Sequence, residues 1–148
     1  MAANTVHTIS IAGISDIAGN VMPTATSSFT TGNTVDLVAP SATVVFTPID
    51  GSTGVPVTVS PSVQFSEPMN PVRAMSLSTG TGLYLYHPAT GQYLLFTVSF
   101  SADYRTMIVT PTGQLQPGTQ YQFGVYLWNT DLAGNQFPTS VWILFTTQ

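Results

Sequence analysis

Ser15-Asp16-Ile17-Ala18-Gly19-Asn20 and Thr130-Asp131-Leu132-Ala133-Gly134-Asn135 are two copies of one six-residue stretch, 115 residues apart. Each follows an alternating apolar run, Val6 to Ile14 in the first copy and Tyr121 to Trp128 in the second. Each precedes a second run that ends in Phe-Thr-Thr, at Phe29-Thr30-Thr31 and at Phe145-Thr146-Thr147. From Asp to Phe the interval is 13 residues in the first copy and 14 in the second. A repeat of this kind ranks before any local reading, because it says what the structural unit is. Two strands joined by an Asp-x-x-Gly-Asn corner occur twice, so the chain reads as one whole unit preceded by the last two strands of another.

Outward from the corner, almost everything reads as strand and turn. The 148 residues include 12 Gly and 11 Pro, and apolar positions alternate in twos instead of recurring every three to four. One short helical turn is expected, at Pro71-Val72-Arg73-Ala74-Met75 after the cap Asn70. Strands are expected at Val6 to Ile11, Thr26 to Thr31, Ser41 to Thr47 (with Val45 or a neighbour facing inward) and Ser62 to Ser66. Others are expected at Leu83 to Tyr86, Tyr93 to Phe100, Thr106 to Pro111, Tyr121 to Trp128 and Ser140 to Thr147. Pro48 to Pro56 reads as a long turn. Leu83 to Tyr86 and Tyr93 to Phe100 read as a hairpin about Pro88-Ala89-Thr90-Gly91-Gln92, with Gly91 where a positive φ is wanted. Short strands with such regular punctuation predict an all-β, immunoglobulin-like antiparallel β-sandwich. Its expected extent is residues 41–148, after a linker at 33–40 and a two-strand extension at 1–32.

Composition narrows the function. Hydrophobic residues make up 43% and aromatics 11%, enough for a core, but only 5% are charged against about 25% in an average soluble protein. There is no Lys, and the basic residues are Arg73 and Arg105. With a net charge of −4 and two cations, no basic patch exists to neutralise phosphates, so nucleic acid is excluded as a partner. The uncharged run from Ala74 to Ala102 is interrupted by Gly80, Gly82, Pro88 and Gly91, so no membrane insertion is expected. Zero Cys removes disulfides and thiolate metal sites. Met1-Ala2-Ala3-Asn4-Thr5 carries neither a basic nor an apolar leader segment. An export signal is therefore expected to have been removed, or to belong to a longer parent chain.

From Thr47 onward the order of motifs resembles a bacterial Ig-like domain, the type named for the S-layer protein SbsA. The opening is Pro48-x-Asp50-Gly51-x-x-Gly54-Val55-Pro56, then Val63-x-Phe65-Ser66-Glu67-Pro68-Met69-Asn70. The close is Leu115-x-Pro117-Gly118-Thr119-x-Tyr121, then Asp131-x-Ala133-Gly134-Asn135 and Phe145-Thr146-Thr147. The stretch up to Gly32 resembles only the final third of the same domain. The resemblance implies tandem domains in secreted or surface proteins, serving as spacers, adhesin stalks or S-layer lattice modules. It implies an extracellular or cell-surface location, no catalysis and no cofactor. Leu77 to Phe100 departs from the family pattern.

Each candidate site has a plain structural reading beside it. Asp131, Asp50, Glu67 and Asp16 offer oxygens of the kind that calcium takes. The structural alternative for Asp16 and Asp131 is that each carboxylate accepts N–H bonds inside its own turn, with Gly19, Asn20, Gly134 and Asn135 in left-handed conformations. Glu67 lacks the partner that general acid–base catalysis needs. His7 and His87 are too few to hold a metal within one chain. Tyr84, Tyr86, Tyr93, Tyr121, Tyr126, Trp128 and Trp142 form a carbohydrate platform only where they escape the core; Tyr84 and Tyr86 share one strand face, which makes a glycan or protein contact at Tyr84, Tyr86 and Tyr93 the adhesin alternative.

The N-terminal hairpin stands out. It carries Val6, Ile9, Ile11, Ile14, Val21 and Phe29, and an isolated apolar hairpin is marginal in water. Its neutral, Thr-rich edges lack the charges that normally block strand pairing. The expectation is a structural module whose partners are neighbouring copies of itself or adjacent Ig-like repeats, joined by strand addition or stacking into a fibre, lattice or array; the alternative is a piece of a tandem array whose hairpin folds back on its own complete domain.

Overall fold

The computed structural model describes residues 1–32, 34–72 and 82–148. The chain divides into two compact units, Met1–Asp36 and Leu37–Gln148. The first unit holds one antiparallel pair, β1 (Val6–Ile11) and β2 (Ala25–Thr30), with Val6 opposite Thr30 and Ile11 opposite Ala25.

The second unit is a two-sheet sandwich. Its strands are β3 (Val45–Thr47), β4 (Ser52–Val55), β5 (Ser62–Gln64), β6 (Leu83–His87), β7 (Gln92–Tyr93), β8 (Phe96–Phe100), β9 (Thr106–Pro111), β10 (Gln120–Val125) and β11 (Val141–Thr147). One sheet has the order β4-β11-β10-β6-β7 and the other β3-β5-β9-β8. Period-two alternation sends one face of each strand inward. Val63, Leu85, Met107, Val109, Phe123 and Val125 are wholly buried. The sheets interlock through aromatic edges: Phe46 of β3 meets Phe123 of β10 at 5.5 Å and 83°. Phe65 and Phe137 meet at 5.7 Å and 86°. Each such ring contributes about 1.5–3 kcal/mol through burial.

Several expectations need correction. Within Ser41 to Thr47, only Val45–Thr47 is strand; its inward residue is Phe46, the neighbour of Val45. The long turn from Pro48 to Pro56 contains β4, which runs parallel to β11, so the sandwich is not wholly antiparallel. The chain is clamped there by hydrogen bonds that its Gly and Pro content hides: Gly51 N–H donates to Leu144 O at 2.8 Å, and Leu144 N–H donates to the Asp50 carboxylate Oδ1 at 2.8 Å. A short edge strand tolerates such residues because one side needs no ladder partner.

The Leu83–Phe100 hairpin is also shorter than expected. Gly91 has φ 70°, but pairing stops after Tyr86–Tyr93 and His87–Gln92. Leu94 N–H still bonds Leu85 O at 2.9 Å, whereas Leu95 O accepts Thr112 N–H from the opposite sheet at 3.0 Å. The chain changes sheets between these two residues, and β8 pairs with β9. Of the expected helical turn, Pro71 and Val72 are helical, and Asn70 Oδ1 accepts Val72 N–H at 3.1 Å. Arg73 to Met75 lie outside the described residues, as does the start of the Leu77 to Phe100 stretch.

Candidate functional site

The two corners are built alike, bond for bond. Asn20 N–H donates to Asp16 Oδ1 at 2.9 Å, and Asn20 Nδ2 donates to Asp16 Oδ2 at 2.8 Å. The second copy has Asn135 N–H to Asp131 Oδ1 at 2.8 Å and Asn135 Nδ2 to Asp131 Oδ2 at 2.8 Å. The backbone closes each loop, with Asp16 N–H to Asn20 O and Asp131 N–H to Asn135 O both at 3.0 Å. Met22 N–H to Ile14 O and Phe137 N–H to Asn129 O are both 2.8 Å. Gly19 and Gly134 take φ 87° and 96°, but Asn20 and Asn135 do not have positive φ. That corrects the expectation for the asparagines. Each serves by its side-chain amide, which reaches back to the carboxylate and needs no left-handed backbone.

These bonds hold both carboxyls below the usual range. At Asp16 the amide of Asn20 is the main cause. At Asp131 burial pushes the carboxyl up, and the bonds from Asn135, Gly134 and Ala133 outweigh it. Of the four acids that offered calcium ligands, Glu67 and Asp131 come within 4.8 Å of each other. Asp50 is instead tied to the backbone of Leu144, and Asp16 belongs to the first unit.

The strands beside the corners also match. His7 and Phe29 face each other across β1–β2, with rings 5.4 Å apart at 26°. Tyr121 and Phe145 face each other across β10–β11, 5.8 Å apart at 32°. The complete unit has one more residue on each side of its corner, so the ladder keeps its register and the ring pairs correspond. On that correspondence Ile9 and Ile11 stand where Phe123 and Val125 stand. Phe123 and Val125 are fully buried, whereas Ile9, Ile11 and Phe29 are 54%, 45% and 42% exposed. Val6 pairs with Thr30 on the opposite face, among the hydroxyls of Thr8, Ser10, Thr26 and Ser28. Ile14 and Val21 flank the corner and are also exposed.

The aromatics divide by strand face. Tyr121 is buried, and its ring meets His87 at 5.3 Å. His87 itself caps the hairpin tip, with Nδ1 2.9 Å from Thr90 Oγ1. Tyr84 and Tyr86 point outward, alternating with buried Leu83 and Leu85. Around them a run of rings crosses the outer face. Trp128 stacks on Tyr126 at 4.7 Å, Tyr126 lies 4.7 Å from Tyr84, and Tyr93 is 6.1 Å from Tyr84 and 4.9 Å from Tyr86.

Two residues that the sequence reading passed over organise this face. Gly124 lies opposite both Tyr84 and Trp142, and a Cβ there would stand 2.3 Å from Tyr84 Cζ. The Tyr84 ring therefore lies across the strand, in the space a side chain would take. A glycine in mid-strand was the available signal, since it marks close approach. Gln122 Nε2 donates to Tyr84 Oη at 2.9 Å. Burial and the hydrogen bond with Tyr93 push the Tyr126 hydroxyl up to about 12. Behind the face, buried Asn129 donates from Nδ2 to Gly82 O at 2.6 Å and to Tyr126 O at 2.9 Å.

Comparison with known proteins agrees with this architecture. The sequence pattern of the family described as bacterial Ig-like domain matches residues 36–147. The crystal structure of the N-terminal part of the bacterial S-layer protein SbsC superposes with TM-score 0.51 at 23% identity, over 67% of this chain. This chain spans 23% of that fragment's length. PcoC, a methionine-rich copper resistance protein from Escherichia coli, superposes with TM-score 0.55 at 16% identity, over 75% of this chain and all of its own. At these identities the two likenesses concern the fold. No curated protein sequence matches the chain. The family match covers most of the chain, and the sandwich with its closing Asp-x-x-Gly-Asn corner accounts for that match: the chain belongs to the bacterial Ig-like domain family.

Proposed function

We propose that the chain is a non-catalytic structural module of a bacterial extracellular or cell-surface protein, and that it assembles through its N-terminal hairpin with neighbouring copies. One observation carries this reading. The hairpin has the ring pair and the inward face of a sandwich's closing hairpin, yet in its own unit Ile9, Ile11 and Phe29 are exposed. An apolar strand pair gains its stability from an opposing layer. The edges of β1 and β2 carry no Asp, Glu, Lys or Arg, so nothing repels an added strand. The likeness to a bacterial S-layer protein supports a surface location and assembly in an array. The near absence of charge suits a protein that packs against its own kind.

Light scattering across a dilution series tests this, with the full chain beside the full-length double variant Ile9→Asp/Phe29→Asp. The expected result is concentration-dependent growth of the natural chain and a monomeric variant. A natural chain that stays monomeric at every concentration sinks the reading, as does a variant that assembles equally well.

A further inference from the structure

The five-stranded sheet has an outer face that the assembly reading does not use. None of its strands contains an Asp, Glu, Lys or Arg. An exposed, contiguous aromatic surface on a soluble domain commonly marks an interaction site. Here Tyr93 is 64%, Trp142 54% and Trp128 41% exposed; Tyr84 lies over Gly124, which stands opposite Trp142, and its ring is 6.1 Å from that of Tyr93. The rings are interleaved with neutral hydrogen-bonding groups, namely the Gln122 amide and the Tyr84 hydroxyl.

That combination selects a ligand chemistry. Anionic partners, whether phosphates or acidic sugars, are held by Arg and Lys forks, and this sheet supplies none. A purely apolar chain would strip water from the polar capacity that the Gln122–Tyr84 bond leaves over, the Gln122 carbonyl and the Tyr84 O–H, at a desolvation cost. A pyranose satisfies both demands: its C–H face is flat and apolar, matching an aromatic ring, and its rim carries neutral hydroxyls. We propose that this face binds a neutral polysaccharide chain, with pyranose rings stacking on Trp142, Tyr84 and Tyr93 and hydroxyls meeting Gln122.

Both tryptophans of the sequence, Trp128 and Trp142, lie on this face or at its border, so intrinsic fluorescence reports it directly. The full chain is titrated with neutral hexasaccharides of β-linked glucose, N-acetylglucosamine and mannose. A saturable change with at least one of them is expected. Trp142→Ala and Tyr93→Ala, both at exposed positions, each weaken binding by about tenfold while leaving the thermal unfolding midpoint in place. The hairpin variant Ile9→Asp/Phe29→Asp binds as the natural chain does, which separates this proposal from the assembly reading. The proposal is overturned if none of the three sugars changes the fluorescence, or if both alanine variants bind undiminished. It is also overturned if the signal follows protein concentration alone, which would mean that a second copy covers the face.

Discussion

The corner at Asp16 and the corner at Asp131 make the same hydrogen bonds at nearly the same distances. They differ in what lies over them. Asp131 and Phe137 are buried, with Phe137 against Phe65, whereas Asp16 and Met22, at the matching places, are exposed. Beside them Phe145 is 1% exposed and Phe29 is 42%. Local structure is thus set by the hexapeptide and its flanking strands, and the energy of keeping it is set by the opposing sheet.

Truncating the matched rings breaks that comparison most sharply. Phe145→Ala removes a core ring and should cost about 3–5 kcal/mol. Phe29→Ala should stay within about 0.5 kcal/mol in the monomer, as surface changes do. Denaturant unfolding followed by tryptophan emission reports the complete unit in both variants, because both tryptophans belong to it. Equal losses would mean that Phe29 is part of one cooperative core.

The carboxylates should differ by less. Asp131→Ala leaves buried N–H donors without partners, at about 2–3 kcal/mol; Asp16→Ala leaves solvated ones and should barely move the tryptophan transition. Acid adds a signature. The Asp131 carboxyl sits below its ordinary 3.8 in the folded chain, so its contribution is full above that value. It is lost as pH falls through the lower folded pKa. Stability below about pH 4 should therefore decline less steeply in Asp131→Asn than in the natural chain. A parallel decline in both would remove Asp131 from the account.

The glycines sharpen the comparison at its smallest scale. Gly19 and Gly134 both have positive φ, and a Cβ on either would meet nothing within 4 Å. Alanine at either place brings backbone strain alone, about 1–2 kcal/mol. The strain is local, so hydrogen exchange of the Asn20 and Asn135 amides should accelerate similarly in Gly19→Ala and Gly134→Ala. Only the second should lower the midpoint seen by tryptophan.

Much of this was legible in the chain. The repeat, the alternation in β6, β9, β10 and β11, and the Gly91 turn all lie within a few residues of their cause. What was not legible depends on distant partners. Pro48 to Pro56 reads as turn because nothing near it tells that Leu144 supplies its ladder. Tyr93 to Phe100 reads as one strand because the change of sheet at Leu94 and Leu95 depends on Leu85 and Thr112. The aromatic face was half legible: Tyr84 and Tyr86 share a strand face by simple period, but Gln122 and Gly124 join them only through strand order.

The sequence by itself determined an all-β chain with a duplicated closing corner, because period-two patterning and Asp-x-x-Gly-Asn chemistry are local, and the order of its motifs carried the resemblance to a bacterial Ig-like domain. Only the tertiary structure decided which aromatics form the core and which form an exposed face. It alone decided that β4 runs parallel to β11, and that Ile9, Ile11 and Phe29 are exposed where Phe123, Val125 and Phe145 are buried. Each of these is a pairing between residues far apart in the chain, and burial is a property of the pairing.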